Sequence, residues 1–276
     1  MDDVKEMKGT TTDYRLVAPE YFTAEQKILV ENFKDAICLM SSQTDMIMGA
    51  KDVHSRHFIS TDAYANIVAL PKGTDVIDRL DRDMPCEGTA QFADCYVQED
   101  IELLRSGDID RKTSILNVHE YSDGIRARIF HKNIMKHHPS RSILGTIYSA
   151  HEIKIANFFS LIPNYVIEFG IGCSIENFDG ELRIGSEKLT EYEHEVCFLL
   201  IMNWGFKQIA CFMNKHRPTH RERVADTISK CRNRICEKLC MPNDSLPNLR
   251  EMLISMGIHR KMPSSFFNRL VGSRPL

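Results

Sequence analysis

Between Asp226 and Leu239 the chain reads DTISKCRNRICEKL, and its residues fall into two sets. Ile228, Cys231, Ile235 and Leu239 recur at helical spacing and mark one apolar face. Thr227, Ser229, Lys230, Asn233, Arg234 and Lys238 lie off that face. They are short hydroxyls, an amide and cations, the groups that bind phosphate oxygens and base edges in a major groove. Just upstream, NKHRPTHRERVAD carries Arg217, Arg221 and Arg223, which can extend such contacts to phosphates. A solvated charged loop is the equal alternative for that segment.

Two further helices are needed to aim this one. Thr190 can cap the first, with Glu193 reaching back to close a capping box. Val196, Leu199 and Leu200 then face a core. Gly205 marks a turn, and Phe206 to Met213 forms a second helix with Ile209, Ala210 and Met213 inward. Asp226 is the expected N-cap of the third helix. A compact helical unit with one basic face is the electrostatic footprint of a DNA reader.

The 276-residue chain has a formal net charge of −3, so any pull toward nucleic acid is local. Hydrophobic content of 43% and charged content of 26% are those of a globular protein. No apolar run reaches the roughly eighteen residues of a membrane span, and the polar N-terminus is no secretory signal. Nine cysteines at irregular spacing argue for reduced thiols and a cytoplasmic location. Cys231, Cys236 and Cys240 read as small residues on a helix face, because no second Cys or His pair stands at a matching spacing, and no metal is expected. Neither a Gly-rich phosphate loop nor a GxSxG elbow or HExxH motif occurs, so no catalytic residue is assigned and the chain is not read as an enzyme.

The first half has a different texture. Residues 1–22 are polar and read as a loosely held terminus. Thr23 caps a helix running to about Ser42, with Gln26 completing a capping box. Two short apolar runs, MIMGA and HFIST, precede a helical piece from Asp62 to Leu70. One helix is expected from about Thr89 to Arg105, stopped by Ser106-Gly107. Strands follow at about 113–121, 125–134 and 142–150, the first two joined at Ser122-Asp123-Gly124. This order predicts an α+β domain with helices on one face of an antiparallel sheet, followed by an all-α domain. Domain limits are expected at 23–155 and 188–242. Residues 156–187 read as a linker with two short strands (170–175 and 181–184), and 243–276 as a C-terminal extension in which Phe266, Phe267 and Leu270 dock on the helical domain or on a second subunit.

Gly73-Thr74-Asp75, the helix bearing Phe92 and Asp100, and Ser106-Gly107 before three strands resemble the middle of PAS sensor domains. The resemblance covers roughly residues 40–152. It implies a half-open sheet whose inner face and covering helices enclose a small pocket, for a small-molecule effector or for none in members that only dimerise. Tyr64, Phe92, Tyr96, His119 and Tyr148 are the candidate lining residues, with core packing as the plainer role for each aromatic. No cofactor is assigned. No equivalent of the flavin sensors' NCRFLQ-like motif surrounds Cys86 or Cys95, and neither His119 nor His131 stands out as a haem ligand.

The helical domain resembles the LuxR-type helix-turn-helix. The matching residues are Leu189-Thr190, Glu193, Glu195-Val196, Ile209-Ala210, Thr227-Ile228, Ile235 and Lys238-Leu239. Tyr192 stands where the family usually has Arg, Cys231 where it commonly has His, and the segment before the third helix is longer than the family's turn. The resemblance places Lys207 and Gln208 at the start of the scaffold helix, near the DNA backbone. It makes Lys230 and Asn233 the base-reading candidates and Thr227, Ser229 and Arg234 the phosphate contacts. It implies a bacterial transcription regulator acting on double-stranded DNA, as a homodimer because helix-turn-helix operators mirror a two-fold axis. A sensor or protein-interaction module with a vestigial DNA-binding domain, and a small-molecule enzyme, are the alternatives. The only Trp, Trp204, lies outside the sensor, which disfavours a homoserine-lactone receptor.

Overall fold

The computed structural model describes residues 14–154, 165–170, 172, 174–184, 187–241 and 245–271. The chain divides into two compact units, one built from residues up to Glu152 except Ile115–Val118, the other from Ile115–Val118 and Ile153 onward.

In the first unit the expected strands form one sheet. They are β2 (Ile47–Asp52), β3 (His57–Ser60), β4 (Lys112–Tyr121), β5 (Gly124–His137) and β6 (Ser142–Ile153). Their order is β3-β2-β6-β5-β4, so the last strand lies beside the first. β2 pairs antiparallel with both β3 and β6, and a bulge in the β2–β3 register falls between Ala50 and Lys51. Such a bulge re-aims the side chain next to it, here Lys51. Residues 14–22, expected to be loosely held, are partly tied down: β1 (Arg15–Leu16) pairs in parallel with Ser142 and Ile143 of β6. Positions 1–13 lie outside the described residues.

Helix α1 (Ala24–Gln43) starts at the expected capping box on Thr23 and Gln26. The Gln26 amide then reaches Ser140 Oγ at 2.9 Å and Ser142 Oγ at 3.0 Å, tying the helix to the sheet. α2 (Asp62–Ile67) is capped by Thr61. The single helix expected over 89–105 is two, α3 (Glu87–Ala90) and α4 (Ala93–Leu104). Within α3, a Cβ on Gly88 would lie 1.9 Å from the Glu120 carbonyl oxygen, so only glycine lets this helix touch the end of β4. The stop at Ser106-Gly107 holds, with Gly107 at φ +73°.

The second unit begins before position 188. The sequence suggests a linker over residues 156–187 with only two short strands. Their described part holds α5 (Tyr165–Phe169) and the strands β7 (Ser174–Phe178) and β8 (Arg183–Ile184), the last paired with β9 (Glu187–Lys188). The three expected helices are α6 (Glu191–Ile201), α7 (Phe206–His216) and α8 (Ala225–Lys238). The C-terminal region adds α9 (Leu246–Ser255), β10 (Lys261–Pro263) and α10 (Ser264–Val271), with β10 parallel to β7. Phe266 is buried against Phe198 and Phe212, at ring separations of 6.2 and 5.4 Å. Of the two expected docking places for the extension, Phe266 therefore takes the helical domain. No helix among the described residues is long and apolar enough to cross a membrane.

Candidate functional site

The helical unit presents the first candidate surface. On α8, Ile228, Cys231 and Ile235 are fully buried, while Lys230, Asn233 and Arg234 are exposed. The period that separated the two sets in the sequence therefore separates inside from outside. Thr227 and Ser229 are half-buried at the start of the same helix. Asp226 is not the N-cap. Val224 holds that position, and its amide donates to Thr227 Oγ1 at 3.3 Å. Asp226 instead sits in the first turn, where an acid suits the helix dipole, and pairs with Lys230 at 2.8 Å.

Lys238, grouped with the outward cations by periodicity, serves the scaffold. Its ammonium donates to Glu193 Oε2 at 2.7 Å and to the Lys188 carbonyl at 2.8 Å. Glu193 also closes the Thr190 capping box, accepting from the Thr190 amide at 2.8 Å. One carboxylate thus joins the start of α6 to the end of α8 and aims the outward face. At the start of α7, Lys207 is exposed and Gln208 accepts the Gly205 amide at 2.8 Å.

The three arginines before α8 part company. Arg217 donates to both oxygens of Glu195 at 3.1 Å and to Glu191 at 3.0 Å. Arg223 donates to the carbonyls of Arg217 and Met213, at 2.7 and 3.3 Å, with its guanidinium 5.3 Å from the Tyr192 ring centre. Arg221 is exposed. With Lys230, Asn233 and Arg234 it lines a groove of about 880 Å³ between this segment and α8.

The first unit holds a second cluster, and most of it is charged. Asp81 accepts from Lys51 Nζ at 2.5 Å and Tyr64 OH at 3.2 Å, and its Oδ1 lies 3.1 Å from His57 Nε2. Tyr148 OH lies 3.1 Å from His57 Nδ1. Asp100 accepts from Lys132 at 2.6 Å, Ser55 at 3.0 Å and Lys51 at 3.4 Å. Lys51, His57, Asp81, Asp100 and Lys132 are all buried. Burial alone would raise the pKa of Asp81 and Asp100, but Lys51 and His57 outweigh it at the first and Lys132 and Lys51 at the second, so both carboxyls sit below the ordinary range. Burial lowers the His57 pKa and keeps that ring neutral at pH 7. With its Nε2 proton toward Asp81, Nδ1 is left to accept from Tyr148.

The five residues expected to line a pocket meet in two groups. Tyr64 and Tyr148 have ring centres 5.0 Å apart. Phe92 and Tyr96 pack on His119 at 4.9 and 5.8 Å, with Tyr96 OH 3.3 Å from His119 Nδ1. Tyr121 links the groups: it shares an apolar cluster with Tyr64 and Tyr148 and lies 5.8 Å from His119. Burial lowers the His119 pKa to about 4. Over the Tyr121 ring, at 4.2 Å, lies the Arg128 guanidinium. Its Nη2 donates to Asp123 at 2.6 Å and Glu152 at 3.3 Å, whereas its buried Nε and Nη1 make no hydrogen bond.

No family model matches the chain, and no curated protein does. Solved structures do. A Vibrio cholerae VqmA dimer without target DNA, described as informative on LuxR-type receptors, is 23% identical and has a TM-score of 0.41, covering 89% of this chain and 93% of that one. A phage VqmA–DPO complex is 24% identical with a TM-score of 0.41, covering 87% and 93%. The PAS domain of the Cronobacter turicensis quorum-sensing receptor RpfR, in complex with BDSF, is 13% identical with a TM-score of 0.32, covering 41% of this chain and 97% of that one. These likenesses are loose, and the function proposed below rests on the chain's own residues.

The sequence did not single out Lys51, His57, Asp81, Arg128 or Lys132 as site residues. A signal was present. Asp100 falls on the side of α4 that also buries Ala93, Tyr96 and Leu104, and Lys132 shares a strand face with Ile134. A charge at an inward position must find a buried partner.

Proposed function

We propose that this chain is a transcription regulator whose helical unit binds double-stranded DNA and whose sensor unit takes a small-molecule effector. The observation that carries the reading is α8: one face fully buried, the other exposing Lys230, Asn233 and Arg234 beside Arg221. Such a helix offers amide and cationic donors to base edges and phosphates. Lys230 and Asn233 are assigned to bases. Arg234, Thr227 and Ser229 are assigned to phosphate, and Lys207 and Gln208 to the backbone beside α7. A homodimer acting in the cytoplasm completes the reading, since paired readers match a two-fold operator.

The effector part is supported by the sensor interior. Arg128 offers two unused buried N–H donors beside a wall of Phe92, Tyr96, His119 and Tyr121. Ligand binding would act by shifting the population of conformers that differ in how the two readers are presented.

The test is fluorescence anisotropy of the full-length protein on duplexes selected from a random pool, across a salt series, with native mass spectrometry of the purified protein. Enrichment of one sequence with affinity falling as salt rises is expected. Failure to enrich any sequence would favour an interaction module with a vestigial reader.

A further inference from the structure

The segment between α7 and α8, residues 217–224, is held in place by its own side chains. Asn214 brackets the backbone of Arg223, donating from Nδ2 to its carbonyl at 2.8 Å and accepting its amide at Oδ1 at 2.8 Å. Arg223 then donates to the Arg217 and Met213 carbonyls, satisfying the end of α7. Arg217 is spent on two carboxylates of α6, and Glu195 among them is buried and also accepts from Ser265 at 2.6 Å. Thr219 Oγ1 donates to the Arg221 carbonyl at 2.7 Å, closing the tip. What this framework presents is Arg221, exposed on the wall of the groove opposite Lys230 and Arg234.

We infer that this segment is a built wall gripping the DNA backbone beside α8, with Arg221 as its phosphate contact and Arg217, Arg223 and Asn214 as positioning residues. The inference rests on the DNA-binding reading above and divides labour among three arginines of like sequence standing. A guanidinium already facing two carboxylates gains little from a phosphate. Arg223 lines the groove too, but its Nη1 donates to two main-chain carbonyls, so a phosphate would compete with the bonds that hold the segment. The groove is not uniformly basic. Glu222, Asp226 and Glu237 line it too, and Asp226 is already neutralised by Lys230.

The test is the salt dependence of affinity on a labelled duplex of mixed sequence, because phosphate contacts do not depend on sequence. Each lost contact lowers the slope of log affinity against log salt by about 0.9. Arg221→Ala is expected to lower the slope by about one unit with an unchanged melting temperature, and Arg221→Lys to keep it. Asn214→Ala changes no charge, yet is expected to lower the slope because the wall is released. Arg217→Ala and Arg223→Ala should add no further loss in the Arg221→Ala background. An unchanged slope in Arg221→Ala, or a further unit lost with each arginine, overturns the inference. If Arg223→Ala does not fold, Asn214→Ala and Arg221→Ala decide it alone. Wild-type protein whose affinity ignores salt would overturn the DNA reading itself, a separate outcome.

Discussion

The two units place charge in opposite positions. In the first unit, Lys51, Asp81, Asp100 and Lys132 are each at most 5% exposed and neutralise one another inside the fold. In the second, Ile228, Cys231 and Ile235 are buried on α8, and the cations stand outside with weak local partners. The same residue types therefore do different work. A buried ion pair needs its geometry complete, so it specifies one arrangement of β2, β5, α4 and the Asp81 turn. An exposed cation keeps its Coulomb energy for whatever arrives.

The contrast should be largest in stability. Asp81→Ala leaves His57 Nε2 and Tyr64 OH without their acceptor and Lys51 with Asp100 alone, and is expected to cost about 3–5 kcal/mol in urea unfolding. Lys230→Ala on the reader surface should stay within about 0.5 kcal/mol. Equal costs would erase the distinction.

Acid should sharpen it next. His119 has its pKa lowered by burial to about 4, against 6.5 unfolded. The folded form binds fewer protons, so stability is full above the unfolded value and is lost as pH falls toward 4. The loss is about 3 kcal/mol. His194, lowered to about 4 mainly by burial, and His216, lowered to about 4 by burial and the nearby Arg269, act in the same window, as does the lowered His57. His119→Gln should flatten the pH slope without abolishing it, read from unfolding midpoints between pH 6.5 and 4. Below that window Asp81 and Asp100, whose pKa values are depressed, lose their stabilisation as they protonate.

DNA affinity should show the reverse pattern. Lys230→Ala is expected to cost about 1–3 kcal/mol and relax sequence preference, while Lys207→Ala weakens binding more evenly across sequences. Gel shifts at wild-type affinity for both would break the assignment. The smallest effect belongs to Asp226→Asn. Removing its exposed pair with Lys230 should change stability by no more than about 0.5 kcal/mol. It should tighten DNA binding slightly, since an acid leaves the groove.

Legibility in the sequence followed the range of the interaction. The capping boxes at Thr23 and Thr190 were readable because both partners lie within one turn. The cap expected at Asp226 was misplaced by two residues, because Val224 has no side chain that advertises a cap. The close packing of α3 on the end of β4 was hidden, since Gly88 and the Glu120 carbonyl it meets are far apart in sequence. Lys238 had the right spacing for the outward face and the wrong destiny, because its partner Glu193 is 45 positions away.

By itself the sequence determined the main strands of the first unit, the order of an α+β unit before a helical one, and which face of α8 is buried. These depend on periodicity and on neighbours a few residues apart. Tertiary structure alone decided which charges are partners. Asp81 joins Lys51, His57 and Tyr64 across three elements, and no local pattern encodes who meets whom once a chain has closed. It also decided that Arg221 is exposed while Arg217 and Arg223 are half-buried and bound to carboxylates and main-chain carbonyls, since a guanidinium's role is set by the acceptors around it.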